Sequence, residues 1–337
     1  MTGINAISLA ETGAELADVS STGRQRPWAE HKMANELLSA VYETIDQDKA
    51  ARLRSCCDYI SFRMDETGKK RLEAANFCRV RLCPICTWRR SLKAQAQMMQ
   101  IASYLSAKGL GGTYILLTLT QKNVEGDHLS AAIDTMMRAW DRLTHRKRVM
   151  DIVKGYYRAM EITHNVIDNT FHPHFHVLFM VPKAYWHHGY LRQDEWAELW
   201  RQALKVDYTP VVDVRRVKGT DAAAIAEIAK YPTKIQDYII PDDWDMTTET
   251  VRLLDSVLAR RRFLAFGGAI ADAHRRLHLD DVEDGDMVHI EAEEPTQGTE
   301  MRIVYHWYSG YRQYRADEAE IVPGIPTARR GPSQARR

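Results

Sequence analysis

Three histidines at alternate positions are the residues of this sequence whose types and spacing most directly suggest chemistry. His172, His174 and His176 lie in the apolar segment 171–181, FHPHFHVLFMV. Successive side chains of a β-strand point to opposite faces, so a strand here places the three imidazoles on one face. Neutral imidazole is the commonest metal ligand in proteins, although a single buried histidine is more often structural. The spacing therefore favours a metal site on this strand.

The segment that precedes the histidines predicts a partner strand over residues 155–165. With Asp168 and Asn169 as the turn pair, Glu161 lies opposite His176. Cross-strand partners share a face, with Cβ atoms roughly 5 Å apart, so Glu161 comes within reach of the same metal ion. A slip of one residue in this register would turn Glu161 to the opposite face.

The cysteines form a second cluster of potential ligands. All five fall between Cys56 and Cys86. Cys78, Cys83 and Cys86 follow a Cys-x4-Cys-Pro-x-Cys pattern, and a fourth thiolate from Cys56 or Cys57 would complete a tetrahedral zinc site. The alternative is that these are buried free thiols, which are common in protein cores. A disulfide is disfavoured because the cytosol keeps thiols reduced.

Composition and charge restrict the class of protein. The chain has 337 residues, of which 45% are hydrophobic and 27% charged, as in a globular protein. The first residues lack a basic start followed by an apolar run, and no segment approaches the ~20 apolar residues of a membrane span. We therefore expect a cytoplasmic protein without membrane contact. The net charge is +1, but acidic residues crowd segment 280–294 and leave the remainder basic.

A basic cluster surrounds the start of the helix that follows the cysteines. It consists of Arg79, Arg81, Arg89, Arg90 and Lys93. These residues are candidates for contact with a DNA backbone. The alternative is an ordinary solvated helix face.

The periodicity of the remaining chain predicts an α+β fold. Strands near residues 114, 157, 172 and 211 with helices between them indicate an antiparallel sheet flanked by helices. A helix is expected to end at Tyr231 because Pro232 follows, and Glu227 lies one turn earlier on the same face. The expected organisation is a disordered arm (1–27), a helical and Cys-rich module (28–109), the sheet-containing core (110–245), a helical and β region (246–320) with helix over 246–278, and a disordered basic tail (321–337).

The sequence resembles the plasmid rolling-circle replication initiator (Rep) proteins of the HUH endonuclease superfamily, in the single-tyrosine branch with a catalytic glutamate. The segments that carry the resemblance are 75–93, 114–126, 160–182 and 227–238, within a similarity that covers most of residues 52–288. Each motif alone is modest, but this order and spacing is highly specific. The resemblance implies an HUH-type nuclease core built on a central antiparallel sheet.

The resemblance also implies metal ligands. His174 and His176 match the His-hydrophobic-His motif and would hold one Mg²⁺ or Mn²⁺ ion. The third ligand would come from an adjacent strand, which favours Glu161 by the register argument, with His172 as the alternative. Among the cysteines the family favours Cys56 as the fourth ligand of a structural Zn²⁺.

The implied activity is origin-specific nicking and closing of one DNA strand. Tyr231 would be the nucleophile and Glu227 the group that activates water for termination, and Lys234 would contact DNA. Tyr238 is an alternative nucleophile, but no glutamate stands four residues before it. The implied partners are single-stranded or hairpin plasmid origin DNA, a host helicase and a DNA polymerase.

Other functions remain open from the sequence alone. A transposase or relaxase would share the nuclease core, although relaxases usually place their tyrosine near the N-terminus and such transposases lack the cysteine segment. A zinc-dependent DNA-binding regulator with an inactive core would need only the cysteines and the basic patches. A metal-dependent hydrolase of small molecules is disfavoured by the Glu227 and Tyr231 pair.

Overall fold

The computed structural model describes residues 13–20, 23–217, 235–290 and 298–324. It is an α+β protein with antiparallel sheets flanked by helices, which confirms the expected fold class. The described α-helices are α1 (Trp28–Tyr42), α2 (Gln47–Ser55), α3 (Pro84–Ala107), α4 (Leu129–Thr144), α5 (Lys147–Ile152), α6 (Gln193–Leu204), α7 (Trp244–Leu258) and α8 (Gly268–Arg276). The described strands are β1 (Tyr59–Met64), β2 (Lys70–Ala75), β3 (Thr113–Thr120), β4 (Val124–Glu125), β5 (Gly155–Asn165), β6 (Thr170–Val181), β7 (Val212–Val217), β8 (Leu264–Gly267), β9 (Thr299–Tyr308) and β10 (Gln313–Pro323).

The chain folds into two compact units. The first contains Met1–Ala40, Asp46–Ile85 and Met287–Arg337, and the second contains Val41–Ile45 and Cys86–Asp286. This division differs from the expected organisation, because the C-terminal strands group with the Cys-rich segment and residues 246–286 group with the larger sheet. No helix in the described ranges is long and apolar enough to cross a membrane.

In the first unit a four-stranded antiparallel sheet has the order β10-β9-β1-β2. The β9–β10 hairpin begins within the region 246–320, which was expected to contain helix and β structure, and it pairs with β1 through Ile303 opposite Phe62. Strands β1 and β2 were not expected, since the module at 28–109 was predicted as helical. Their side chains alternate only weakly, and β2 has no fully buried residue. Non-local pairing with the C-terminal hairpin, and not a local pattern, makes these residues strands.

In the second unit the sheet has the order β7-β3-β6-β5-β8, and β4 also pairs with β6. Strand β6 carries the histidines and lies at the centre between β3 and β5. Strand β8 falls inside segment 246–278, so the expectation that this segment is wholly helical is wrong for Leu264–Gly267. The segment is too short and too mixed in composition for the sequence to predict a strand. Its pairing with β5 determines its conformation.

The core of the second unit lies on the face of the sheet opposite Glu161. Phe175 and Phe179 are fully buried there, as the alternation on the histidine strand predicts. Trp140 on α4 and Trp196 on α6 stack on the ring of Phe179 at centroid distances of 5.8 and 5.6 Å, and Trp200 packs on Phe175 at 6.2 Å. This aromatic layer holds strand β6 rigidly against two helices.

The β5–β6 hairpin has a different register from the one expected. The turn consists of residues 166–169, with Asn169 at a positive φ of 50°, so Glu161 pairs with His174 and not with His176. The predicted pairing is therefore wrong by two residues. Because side chains alternate with a period of two, this shift leaves Glu161 on the face of the histidines.

Candidate functional site

The hairpin brings one carboxylate and two imidazoles together. Glu161 on β5 and His174 and His176 on β6 each offer a ligand atom, and these atoms lie within 4.8 Å of one another. Glu161 Oε2 is 2.9 Å from His176 Nε2 and 3.6 Å from His174 Nε2. All three side chains are largely buried, with 5% exposure for the carboxylate. A cation at this point would be shielded from water on most sides.

The hydrogen bonds of the two rings orient their Nε2 atoms toward the carboxylate. His174 Nδ1 lies 3.1 Å from the carbonyl oxygen of His172, so it must be the protonated nitrogen and donate to that oxygen. In the form that binds a metal, Nε2 carries a lone pair and faces a carboxylate oxygen, which also accepts only. Two acceptors that face each other suit a shared cation. His176 Nδ1 lies 3.3 Å from Thr118 Oγ1 on strand β3, which fixes the second ring.

These residues fit a divalent metal ion. One carboxylate and two imidazoles, each ring held by an outer hydrogen bond, match the donor sets of divalent transition metals. His172, the alternative third ligand, lies outside this group of three. Its burial lowers the pKa of its imidazole, and the neighbouring His174 adds to the effect, so its ring favours the neutral form. Its described contribution to the site is the backbone carbonyl that orients His174.

The residues expected to carry the covalent chemistry are not part of the described structure. Glu227, Tyr231 and Lys234 lie in segment 218–234, outside the described residues. Tyr238, the alternative nucleophile, is described and is only 2% exposed. A tyrosine that is buried to this degree is poorly placed to attack a DNA phosphate.

Four cysteines form a second group of potential ligands. Cys56, Cys78, Cys83 and Cys86 are buried, and their sulfur atoms lie within 4.8 Å of one another. Four thiols at this spacing match the tetrahedral ligand set of structural zinc. Cys57 is buried but does not belong to the group.

Polar groups from helix α1 surround part of this cysteine cluster. Asn35 Oδ1 lies 3.1 Å from Cys83 Sγ, and the buried Lys32 ammonium donates to the carbonyl oxygen of Cys56 at 2.8 Å. The backbone N–H of Cys78 points at Cys56 Sγ at 3.4 Å. The N–H donor directed at a sulfur atom suits an anionic zinc–thiolate centre. The charge of Lys32 is paired with the carboxylate of Asp58 at 2.6 Å.

Three of the basic residues expected to contact DNA are buried. Arg89, Arg90 and Lys93 are at most 3% exposed. Arg90 Nε donates to the carbonyl oxygen of Glu283 at 3.0 Å, and Lys93 Nζ forms an ion pair with Asp280 at 2.8 Å. A buried cation cannot reach a DNA backbone, so the expectation is wrong for these three residues. Arg90 and Lys93 contact the acidic stretch instead.

Sequence reasoning did not find Thr118. It pairs directly opposite His176 across β3 and β6. Threonine in a short β-rich run is ordinary strand composition, so only the register of β3 against β6 identifies it. The same holds for the carbonyl of His172, because no side-chain pattern marks a backbone acceptor.

Comparison with known proteins gives a consistent result. A family model described as replication protein matches residues 69–315. A Protein rep from Bacillus amyloliquefaciens is 38% identical over 331 residues, which is 89% of this chain and 96% of the relative. A Protein rep from a Bacillus species is 42% identical over 284 residues, 78% of this chain and 91% of that protein. A Protein rep from Streptococcus pneumoniae serotype 2 is 36% identical over 308 residues, 89% of this chain and 94% of that protein.

No solved structure matches this chain. The family model alone spans well over half of the sequence, and its range includes both the cysteine cluster from Cys78 onward and the Glu161–His174–His176 group. The chain therefore belongs to the replication protein (Rep) family, whose members initiate plasmid replication.

Proposed function

We propose that this Rep protein starts rolling-circle replication by cutting one strand of the plasmid origin with a tyrosine nucleophile and a divalent metal ion, as an HUH-type endonuclease. The observation that carries the proposal is the Glu161–His174–His176 group, in which a carboxylate and two oriented imidazoles converge. A replication initiator needs a free 3′-OH, and nicking supplies one. The scissile strand must be unpaired to reach such a site, so a hairpin or single-stranded origin is the substrate.

In the proposed reaction Tyr231 attacks the scissile phosphate in line. A bond forms between the phenolic oxygen and phosphorus while the bond to the 3′-oxygen breaks, which leaves a 5′-phosphotyrosine and a 3′-OH that a DNA polymerase can extend. Mg²⁺ or Mn²⁺ held by Glu161, His174 and His176 would act as a Lewis acid on the non-bridging phosphate oxygens. Phenolate is a better leaving group than an alkoxide, so the phosphotyrosine keeps the bond energy needed for closure.

Termination is assigned to Glu227. As a general base it would activate a water molecule to cleave the regenerated junction, after which the free 3′-OH attacks the phosphotyrosine and closes the displaced circle. One tyrosine then serves one round of replication. A host helicase would open the duplex ahead of the polymerase.

The cysteine cluster is proposed to hold structural Zn²⁺ through Cys56, Cys78, Cys83 and Cys86. The arrangement of the four sulfur atoms supports this ligand set. Arg79 and Arg81, which are not buried, and Lys234 remain candidates for contact with the DNA backbone.

A covalent trap tests the nucleophile. The protein is mixed with single-stranded oligonucleotides from the cognate plasmid origin and Mn²⁺, denatured, and analysed by gel shift and peptide mass. We expect an adduct on Tyr231 that disappears with Tyr231→Phe and with a chelator. Tyr238→Phe is the matched control and should leave the adduct yield unchanged, because the Tyr238 side chain is buried.

An adduct on Tyr238 would keep the activity and reject the assigned nucleophile. Binding without any adduct would favour the second candidate, a zinc-dependent DNA-binding regulator. The exposed part of the basic segment and the cysteine cluster would be sufficient for that function.

Glu227→Gln separates nicking from termination. Glutamine cannot accept a proton, so we expect normal adduct formation but accumulation of multimeric displaced strands in a replication assay. Loss of the first nick in this variant would show that Glu227 does not have the assigned role.

A further inference from the structure

A cavity of about 360 Å³ lies beside strand β8 in the second unit. Its wall includes Arg158 of β5, Phe266 of β8, His274 of α8 and the acidic residues Asp281 and Glu283. None of the metal-binding groups described above contributes to it. Cationic, acidic and aromatic residues all contribute to its wall.

Arg158 is the unusual member of this wall. The residue is only 5% exposed. Its guanidinium lies over the rings of Phe175 and Trp140, at 4.7 and 5.7 Å from their centroids. Burial lowers the pKa of the guanidinium to about 10. A charged group that lies within an aromatic layer is costly unless its donors are used.

Most of those donors are unused within the described part of the chain. Nη1 donates to the sulfur of Met137 at 3.0 Å, a weak acceptor, and Nε is buried without a partner. Glu283 is the nearby opposite charge, but its Oε1 accepts from the backbone N–H groups of Phe263 and Leu264. The fold therefore keeps a costly guanidinium at the wall of a cavity without satisfying it.

The chemistry of the other wall residues favours a base over a phosphate. Arg262 and Arg275, the other two arginines of the wall, already form ion pairs with Asp281 and Asp272, and Glu283 would repel a phosphate group. A base, in contrast, offers both donors and acceptors. The rings of Phe266 and His274 stack on each other at 4.9 Å, but on the sheet face opposite the Arg158 side chain, because Phe266 pairs with Tyr157 and Ala265 pairs with Arg158. They therefore border the cavity from the other side of the β8 edge. Asp281 forms an ion pair with the largely exposed Arg262, and such exposed pairs rearrange at little cost.

We propose that this cavity binds one extruded nucleobase of the unpaired DNA strand, with guanine preferred. Arginine donates in pairs to O6 and N7 of guanine, and a carboxylate accepts from the N1 and N2 hydrogens on the same base. The proposal rests on the proposed action on single-stranded DNA and adds a position at which the strand is read.

The location fits a strand that also reaches the metal group. Arg158 precedes Glu161 by three residues on β5, which is roughly 10 Å along the strand at ~3.4 Å per residue. The two side chains point to opposite faces, and β8 is the last strand on that side of the described sheet. A DNA strand would therefore have to pass around the sheet edge at β8 to place a base in the cavity within a few nucleotides of the scissile phosphate.

The test compares short oligothymidylates that carry a single central guanine, adenine or cytosine, with binding to the full-length protein measured by fluorescence anisotropy. We expect the guanine oligonucleotide to bind roughly tenfold more tightly than the others, a typical discrimination for a bidentate arginine contact. Equal binding of all oligonucleotides overturns the proposal. Competition by inorganic phosphate as effective as that by dGMP overturns it as well, because the cavity would then be an anion site.

The variant Arg158→Met separates a reading role from a structural one. Methionine keeps an unbranched apolar side chain in the aromatic layer and removes every donor. It thereby also removes the cost of burying a guanidinium whose Nε has no partner. We expect the guanine preference to vanish while the melting temperature is unchanged or higher. A lower melting temperature with an intact preference would make Arg158 structural and overturn the proposal.

Two further variants complete the design. Arg158→Lys keeps the charge without the planar fork and should lose most of the preference. Arg148→Met, on an exposed arginine of α5, is the matched control and should retain the preference. If dGMP alone binds tightly but a guanine within the strand brings no gain, the cavity serves a free nucleotide and the strand assignment fails.

The covalent trap is run on the same wild-type preparation. A guanine preference without an adduct would support base binding in the cavity and reject the nuclease proposal. An adduct without guanine preference would do the reverse, so the two failures are distinguishable.

Discussion

At the scale of single residues, the candidate metal site depends on atoms that are not ligands themselves. The carbonyl of His172 and the hydroxyl of Thr118 bind the Nδ1 atoms of His174 and His176 and leave both Nε2 atoms directed at Glu161. Outer hydrogen bonds of this kind fix the tautomer and the orientation of a ligating imidazole. The choice of ligand atom is thus made by the neighbours of each ring.

Thr118→Val should weaken metal binding. Valine has nearly the same shape but no hydroxyl, so His176 loses the group that orients its ring, and we expect the affinity for Mn²⁺ to fall about 10- to 100-fold by calorimetric titration. Thr120→Val is the matched control on the same strand, because its hydroxyl donates to the carbonyl of Val211 and not to an imidazole. An equal loss in both variants would indicate a general effect on β3 and contradict the orienting role.

Glu161→Gln tests the third ligand directly. The amide keeps the size of the side chain but has no negative charge, so the Mn²⁺ affinity should drop by a larger factor than in Thr118→Val. His172→Gln is the comparison, since His172 contributes its backbone carbonyl, which the substitution retains. A greater loss for His172→Gln than for Glu161→Gln would reverse the assignment of the third ligand.

At the scale of elements, neighbouring cysteines at the end of helix α2 have different roles. Cys56 belongs to the group of four thiols, whereas the residue after it has a positive φ of 53° and offers its carbonyl oxygen to the hydroxyl of Tyr314 at 2.8 Å. The change of backbone direction at Cys57 turns its thiol away from the cluster. Cys56 is therefore a candidate zinc ligand, whereas the next residue, Cys57, contributes a backbone carbonyl as a hydrogen-bond acceptor.

Cys56→Ser should remove bound zinc and destabilise the Cys-rich unit. Serine is a poor ligand for Zn²⁺, and structural zinc contributes directly to folding free energy. We expect elemental analysis to find one Zn²⁺ per wild-type chain and none in this variant, with a lower melting temperature. Cys57→Ser should retain the metal, and loss of zinc from Cys57→Ser with retention in Cys56→Ser would exchange the two assignments.

The register of the β5–β6 hairpin determines which side chains join the Glu161–His174–His176 group. Alternation on β6 makes one face polar and the other apolar. The predicted pairing was in error by two residues, which changed the partner of Glu161 but not its face. The prediction that Glu161 lies on the same face as the histidines was still correct, because side chains on a strand alternate with a period of two. An error of one residue would have removed the carboxylate from the site.

At the scale of the whole molecule, the C-terminal hairpin returns to strands that formed near the start of the chain. The carboxylate of Glu73 on β2 accepts from Arg302 on β9 at 2.6 Å and from Arg63 on β1 at 2.8 Å. Hydrogen bonds from Arg302, and then from Arg63 and Ser61, lower the pKa of Glu73 to about 2. This carboxylate links segments that are more than two hundred residues apart, so it stabilises the long-range closure of the sheet.

Glu73 makes stability depend on pH in acid. Its pKa is lower in the folded than in the unfolded chain, so its contribution is complete above about pH 4.5 and is lost as the pH falls toward about 2. The shift corresponds to about 3 kcal/mol at most, and solvent screening reduces this to about 1–2 kcal/mol. Urea unfolding at pH 6 and pH 3 should show a smaller loss on acidification for Glu73→Gln than for the wild type.

Glu198→Gln is the control for this measurement. Glu198 is exposed on α6, and hydrogen bonds from Arg201 and Gln202 also lower its pKa to about 2. Because water screens this pair, the variant should follow the wild type at both pH values. If the two variants behave alike, the link between β2 and β9 does not contribute to acid stability.

The sequence by itself determined the features that follow from local periodicity and residue chemistry. The alternation of residues 171–181 identified the histidine strand and its two faces, and the spacing of Cys78, Cys83 and Cys86 identified a thiol cluster. Strand β5 and the end of α3 before Gly109 were also predictable, since turn residues and β-branched runs are local signals. These local features are sufficient to predict the α+β class and both candidate metal groups.

Only the tertiary structure decided which residues meet across long separations. The pairing of β1 with β9, the contacts of Arg90 and Lys93 with the acidic stretch, and the position of Thr118 opposite His176 all depend on register and packing between distant segments. A basic residue in a sequence has the same signature whether it faces water or a buried carboxylate, because its partner is far along the chain. The same reason hides Arg158 and its cavity, since an arginine within a strand shows nothing of its unsatisfied donors until the sheet has formed.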